Sequence, residues 1–224
     1  GIIPDDNVTV TQYFQEQFSI PYSHVGVISG PSHAEEVSME RTTYLTVATE
    51  FEADAKAIAS LINSSYIHTV ISNDIYGIEY GAVLKNIYAL GAGICHGLGY
   101  GDNFQAVFAS NAIREMELFL ARVFEKERHL FHSVYLGDLL VTIYSQFSRN
   151  RTFGNMIGKG YNVQSAMLEM NMVAEGYYAS KCVNEININR NFNLSIPIAE
   201  SVYKILYEKV PAATEIKILY EKLK

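Results

Sequence analysis

The chain contains no tryptophan, two cysteines and only 17 Lys+Arg residues among 224. Each shortage excludes something. Against 24 Asp+Glu, the net charge is −7 at pH 7, whereas a nucleic-acid partner demands a basic surface to neutralise its phosphates. Any anion this chain binds must therefore be held by a local cluster of donors. Cys95 and Cys182 share no motif spacing, and two lone cysteines suit a reducing cytoplasm better than a disulfide framework. The histidines show no metal-ligand spacing, so no metal site is expected. No apolar run reaches the roughly 18 to 20 residues of a membrane span. Internal repeats and low-complexity stretches are missing. The first residues, GIIPDDN, resemble no signal peptide and do not start with methionine.

What is present is an ordinary globular composition, 49% hydrophobic and 18% charged, rich in tyrosine. A chain this long can bury roughly 70% of its unfolded surface, so it needs no covalent or metal staple. The first third has α/β grammar. HVGVISGP (residues 24–31), TYLTVAT (43–49) and YIHTVISND (66–74) read as strands, and EADAKAIASLINSS (52–65) as a helix between the last two. From Tyr76 onward the pattern is helical. Helices are expected over residues 77–103, over 103–127 behind an Asn103 cap, over 195–209 with Pro197 early, and over the last twelve residues. The expected fold class is α+β: a mostly all-α helical domain, residues 76–224, preceded in 1–75 by a few strands. Three strands cannot cover their own faces and edges. They read as the trailing part of a larger Rossmann-like sheet, with the boundary near Asp74 to Gly77.

Four stretches carry candidate chemistry. In GIEYGAVLKNIYALGAGICHGLGYGDN, residues Tyr80, Val83, Leu84, Ile87, Leu90 and Ile94 form an apolar stripe. The face bearing Lys85 is built from Gly81, Ala82, Ala89 and Ala92. Lys85 reads either as a side chain snorkelling past a tight helix interface or as a cation poised to stabilise or protonate an oxyanion. In LGDLLVTIYSQFSRNRTFG, Asp138 sits inside an apolar run, where an unpaired carboxylate is costly. It reads either as an N-cap or as the partner of a buried lysine, with Thr142 one turn on. The following Ser148, Arg149, Asn150 and Arg151 are either a solvated basic loop or a phosphate grip at a helix start. In SGPSHAEE, Ser32 and Glu35 fit a capping box, while Gly30 and Ser32 also suit close approach of an anion. Glu175 in VAEGYY reads, by itself, as a solvated carboxylate.

In this order and spacing, ISGPSHAEE, GAVLKNIYALGAGICHGLGYGDN, GDLLVT, SRNRTFG and VAEGY resemble the bacterial type of NAD(P)-dependent glycerol-3-phosphate dehydrogenase, over essentially the whole chain. The resemblance implies a Rossmann domain for the dinucleotide (NAD or NADP) and a helical domain for most of the substrate site. The implied reaction interconverts dihydroxyacetone phosphate and sn-glycerol 3-phosphate, for phospholipid synthesis, in an enzyme expected to be a homodimer. By motif, it makes Lys85 the acid/base, with Asp138 and Thr142 as its partners and substrate contacts. Ser148, Arg149 and Asn150 become the substrate grip, Arg149 also reaching the cofactor. Gly30 and Ser32 would touch substrate, Ala34 the cofactor, and Val173 and Glu175 would lie near the dinucleotide. On this reading the small residues around Lys85 make room for substrate and cofactor.

The sequence departs from the family pattern at His33, where an aromatic is common, at His96 for a frequent Asp, and at Asn111 for a frequent Arg. The family's G-x-G-x-x-G turn and a further lysine in a Lys-Gly context do not appear. The expectation is a C-terminal fragment that folds in its helical part and turns over little alone. Two other readings remain: a related hydroxy-acid dehydrogenase, which the phosphate grip disfavours, and a non-catalytic helical dimerisation module.

Overall fold

The computed structural model describes residues 1–170, 172 and 174–224. Helix α4 (Ile75–Gly97) organises it: 23 residues, about 34 Å long. Almost every position from Ile75 to Cys95 is buried, so the helix is wrapped by protein on nearly all sides. It starts where Asp74 caps it, the carboxylate accepting from the Gly77 N–H at 3.2 Å. Around it pack α5 (Asp102–Val123), α6 (Asp138–Tyr144), α7 (Arg149–Gly158), α9 (Glu175–Asn189) and α10 (Pro197–Leu206). Helices α8 (Val163–Glu169) and α11 (Ala212–Tyr220) close the far side against α7 and α10. One continuous core runs through these helices, with Tyr80, Tyr88, Phe108, Phe119 and Phe153 as its largest fully buried side chains.

Before α4 lie a two-stranded antiparallel ladder, β1 (Ile2–Ile3) with β2 (Val8–Thr9), and helix α1 (Val10–Phe18). A three-stranded sheet follows, ordered β3 (Gly26–Ser29), β4 (Thr43–Thr49), β5 (Ile67–Ser72). β3 runs antiparallel to β4, and β4 parallel to β5 through the crossover helix α3 (Glu52–Ile62). Helix α3 and the sheet share only a small second core of Val47, Ala55 and Ala59. Ile28, Tyr44, Val70 and Ile71 remain exposed on the sheet, as expected of strands with an uncovered face.

The α+β reading and the three strands hold; several details do not. α5 begins at Asp102 behind Gly101, so Asn103 is inside the helix and caps nothing. Helix α2 (Ala34–Ser38) is capped by the backbone of His33, without a side-chain bond. The Ser32 hydroxyl instead donates to the Gly30 carbonyl at 3.0 Å, so the Ser32–Glu35 capping box does not form. A capping box does exist at Thr9–Gln12, at the start of α1, where each side chain bonds the other residue's backbone.

Candidate active site

Two close helix approaches build the site. An added Cβ on Gly154 of α7 would lie 2.0 Å from the Leu90 carbonyl of α4. On Gly176 of α9, it would lie 2.4 Å from the Asn86 carbonyl. Only residues without a Cβ let these backbones touch, and the contact brings the first turns of α7 and α9 beside the middle of α4. The small residues of α4 therefore serve mostly protein packing. Gly81 lies under the Tyr135 ring, Ala89 and Ala92 are fully buried, and only Ala82 lines the cleft, which corrects the expectation that this face makes room for ligands.

The result is a polar cleft of about 240 Å³ bordered by Gly30, Ser32, Lys85, Asp138, Thr142, Ser148, Arg149, Asn150 and Glu175. Residues far apart in sequence, from Gly1 to Glu175, thus border one cleft. The Lys85 Nζ donates to Asp138 Oδ2 at 2.6 Å. The Asp138 side chain is 2% exposed and that of Lys85 19%, so the carboxylate lies at the base of the cleft and the ammonium at its surface. Neither the snorkelling lysine nor the N-cap aspartate is found. Asp138 is itself the first residue of α6, behind Gly137, and its carboxylate is committed to the lysine. The Thr142 hydroxyl donates to the Asp138 carbonyl at 2.5 Å, bracing the same turn.

The opposite wall is the start of α7. Ser148 is its N-cap, Oγ accepting from the Arg151 N–H at 3.3 Å. Asn150 accepts from the Gly176 N–H at 2.8 Å through Oδ1, which leaves its amide N–H groups for another acceptor. Arg149 is exposed, and its guanidinium bonds only Met172 Sδ at 3.8 Å among the described residues. A helix N-terminus, a hydroxyl, an amide and an exposed arginine fork together suit a phosphate monoester. Glu175 is not simply solvated: it accepts from Asn86 Nδ2 at 3.1 Å, tying α9 to the residue after Lys85.

Ala34 does not border the cleft; it is exposed on the first turn of α2. Val173 lies outside the described residues. The sequence reading missed Asn86, Phe147 and Val141 as cleft residues. For Asn86 the signal was present, since it directly follows Lys85 and must lie near it on α4. His33 also borders the cleft. No group of three or more His, Cys, Asp or Glu among the described residues is placed to hold a metal.

A family model described as the C-terminus of NAD-dependent glycerol-3-phosphate dehydrogenase matches residues 74–217, and the model of its N-terminus matches 1–55. The chain belongs to this family. A glycerol-3-phosphate dehydrogenase (NAD(P)+) of Staphylococcus haemolyticus is 34% identical over 220 residues, covering 98% of this chain and 66% of its own length. One from Clostridium botulinum is 36% identical, covering 93% of this chain and 62% of itself. The chain thus spans about two thirds of the glycerol-3-phosphate dehydrogenases it matches. Among solved structures, the glycerol-3-phosphate dehydrogenase of Coxiella burnetii superposes with a TM-score of 0.91 at 26% identity, over 99% of this chain and 66% of that one. The yeast enzyme superposes with a TM-score of 0.81, also at 26% identity, over 93% of this chain and 62% of that one.

Proposed function

We propose that this chain is the substrate-gripping part of an NAD(P)-dependent sn-glycerol-3-phosphate dehydrogenase, reducing dihydroxyacetone phosphate to sn-glycerol 3-phosphate for phospholipid synthesis. One observation carries the reading: a lysine salt-bridged to a buried aspartate faces a Ser-Arg-Asn helix start across a cleft of about 240 Å³. That separation of a proton donor from an anion grip suits a small carbonyl substrate with a phosphate at one end. On this reading, residues 1–75 belong to the dinucleotide domain and 76–224 form the helical substrate domain.

The cleft's donor set also fits a nicotinamide dinucleotide. The exposed guanidinium of Arg149 and the Glu175–Asn86 pair border the same opening, and can meet its phosphate and amide groups. When bound, that cofactor supplies the hydride in reduction and accepts it in oxidation. The remaining work falls to the chain. Ser148, Arg149 and Asn150 hold the phosphate and so fix the carbonyl near Lys85. As the carbonyl carbon gains hydride, its oxygen gains negative charge; the Lys85 ammonium stabilises that charge and passes its proton to the oxygen. In oxidation the neutral amine takes the hydroxyl proton back. Asp138 orients the lysine, and its negative charge offsets the ammonium in the partly dry cleft.

The setting proposed is the cytoplasm, and the assembly a homodimer. No described helix is long and apolar enough to cross a membrane. The test is dihydroxyacetone phosphate-dependent oxidation of reduced nicotinamide by the enzyme that carries this chain. Lys85→Ala should lower kcat by about a thousandfold or more in a protein that stays folded, with a melting temperature lowered only modestly by the unpaired Asp138. Full activity in that variant would overturn the reading in favour of a non-catalytic helical module. Preference for a non-phosphorylated keto acid would overturn the substrate.

A further inference from the structure

His33 borders the same cleft as Lys85, Ser148 and Arg149, yet nothing above gives it work. Its ring lies edge-on to Phe147, with centroids 6.2 Å apart and planes at 60°. Phe147 directly precedes the Ser148 cap of α7, so the imidazole stands beside the anion-holding end of the cleft. The backbone carbonyl of His33 accepts from the Glu36 and Val37 N–H groups, each at 3.0 Å, which pins the residue at the head of α2. Its side chain plays no part in that cap. Its Nε2 is buried and has no hydrogen-bond partner among the described residues. A buried ring nitrogen without a partner is unfavourable, and its persistence beside an anion grip calls for an explanation.

We propose that His33 is a specificity residue for the phosphate end of the substrate, its ring N–H turning into the cleft to donate to an oxygen that Arg149 also holds. This rests on the triose phosphate reading above. Rotation about the Cβ–Cγ bond is soft, and it exchanges ring edges while keeping the ring's outline against Phe147. A phosphate monoester has three terminal oxygens, more than one arginine fork satisfies, so a further donor has an acceptor waiting. A neutral polyol offers only an uncharged hydroxyl at that end, a weaker acceptor than a phosphate oxygen.

Calorimetric titration of glycerol 3-phosphate into the enzyme that carries this chain tests this, in wild type, His33→Phe, His33→Gln and Arg149→Ala. Phenylalanine keeps the ring against Phe147 but removes both nitrogens; glutamine restores a donor at comparable reach. His33→Phe should weaken binding about three- to tenfold, and His33→Gln should recover most of the loss. The ring ¹H–¹⁵N signal that His33→Phe removes should shift during the wild-type titration. Binding that Arg149→Ala weakens and His33→Phe leaves untouched overturns this proposal alone. If His33→Phe weakens binding of NADPH and not of glycerol 3-phosphate, the donor serves the dinucleotide and the assignment to substrate falls. If glycerol 3-phosphate does not bind the wild-type enzyme at all, the triose phosphate reading fails first and takes this one with it.

Discussion

A carboxylate 2% exposed must either find a cation or be protonated, and Asp138 has found Lys85 at 2.6 Å. Replacing it by Asn leaves the ammonium without its counter-charge. Because Lys85 keeps 19% exposure toward the cleft, water can partly take over, so the expected stability loss is about 1–3 kcal/mol, short of the full penalty for a sealed pair. The loss of activity should be far larger, since the lysine is no longer aimed. Chemical denaturation and initial rates on Asp138→Asn check both, and loss in equal proportion would contradict an orienting role. This pairing was legible in the sequence, because Asp in the apolar run GDLLVT needs a partner and Lys85 stands alone in an otherwise uncharged stretch after Glu79. The fate of Ser32 was not. Ser-x-x-Glu and Thr-x-x-Gln both satisfy the capping pattern, and only at Thr9 does the backbone take the geometry that lets both bonds close. Nor could spacing reveal that His33 keeps a ring nitrogen unpaired among the described residues, since that depends on what α6 and α7 bring against it.

At the scale of elements, the site depends on how closely α7 and α9 ride on α4. Gly154 meets the Leu90 backbone and Gly176 the Asn86 backbone, neither of which can move aside as a side chain tip can. Gly154→Ala should therefore push α7 outward, costing about 2–4 kcal/mol. It should also raise KM for the phosphorylated substrate more than it lowers kcat, because Ser148 and Arg149 travel with α7 while Lys85 and Asp138 stay on α4 and α6. Thermal melts and steady-state kinetics on that variant check the split, and an unchanged KM would detach α7 from substrate binding. Periodicity located the long helices because α4 and α5 are long enough to repeat their pattern. It gave no account of the hairpin of β1 and β2 or of α1. Two-residue strands have no period to read, and the nine residues VTQYFQEQF bury only Thr11. The close packing of glycines was visible only as composition; that a helix, and not a ligand, fills the space follows from the three-dimensional crossing.

For the molecule as a whole, two buried carboxylates bound the pH range of stability from opposite sides. Asp74 joins the sheet to α4. Burial pushes its carboxyl up, but hydrogen bonds from Arg128 and Tyr135, with the Arg128 charge, outweigh that and hold it below the usual range. A lowered folded value means its contribution is present above the unfolded value and disappears as pH falls through the folded one. Glu115 on α5 behaves the other way. Burial pushes it up to about 8, against the pull of the Ile198 and Ala199 N–H groups it holds at 2.6 and 3.2 Å at the head of α10. A raised folded value means stability is full below the unfolded carboxylate range and is lost as pH rises toward about 8, by an amount on the order of a few kcal/mol. Glu115→Gln keeps a carbonyl oxygen for the Ile198 N–H and removes the ionisation. The wild type and this variant should therefore show similar unfolding free energies near pH 5, with the variant pulling ahead steadily up to pH 8 and by a constant margin beyond. Urea unfolding at unit pH steps between 5 and 9 measures that difference. Parallel curves across the range would mean that Glu115 is already ionised in the folded protein at pH 5, with the α10 amides outweighing burial.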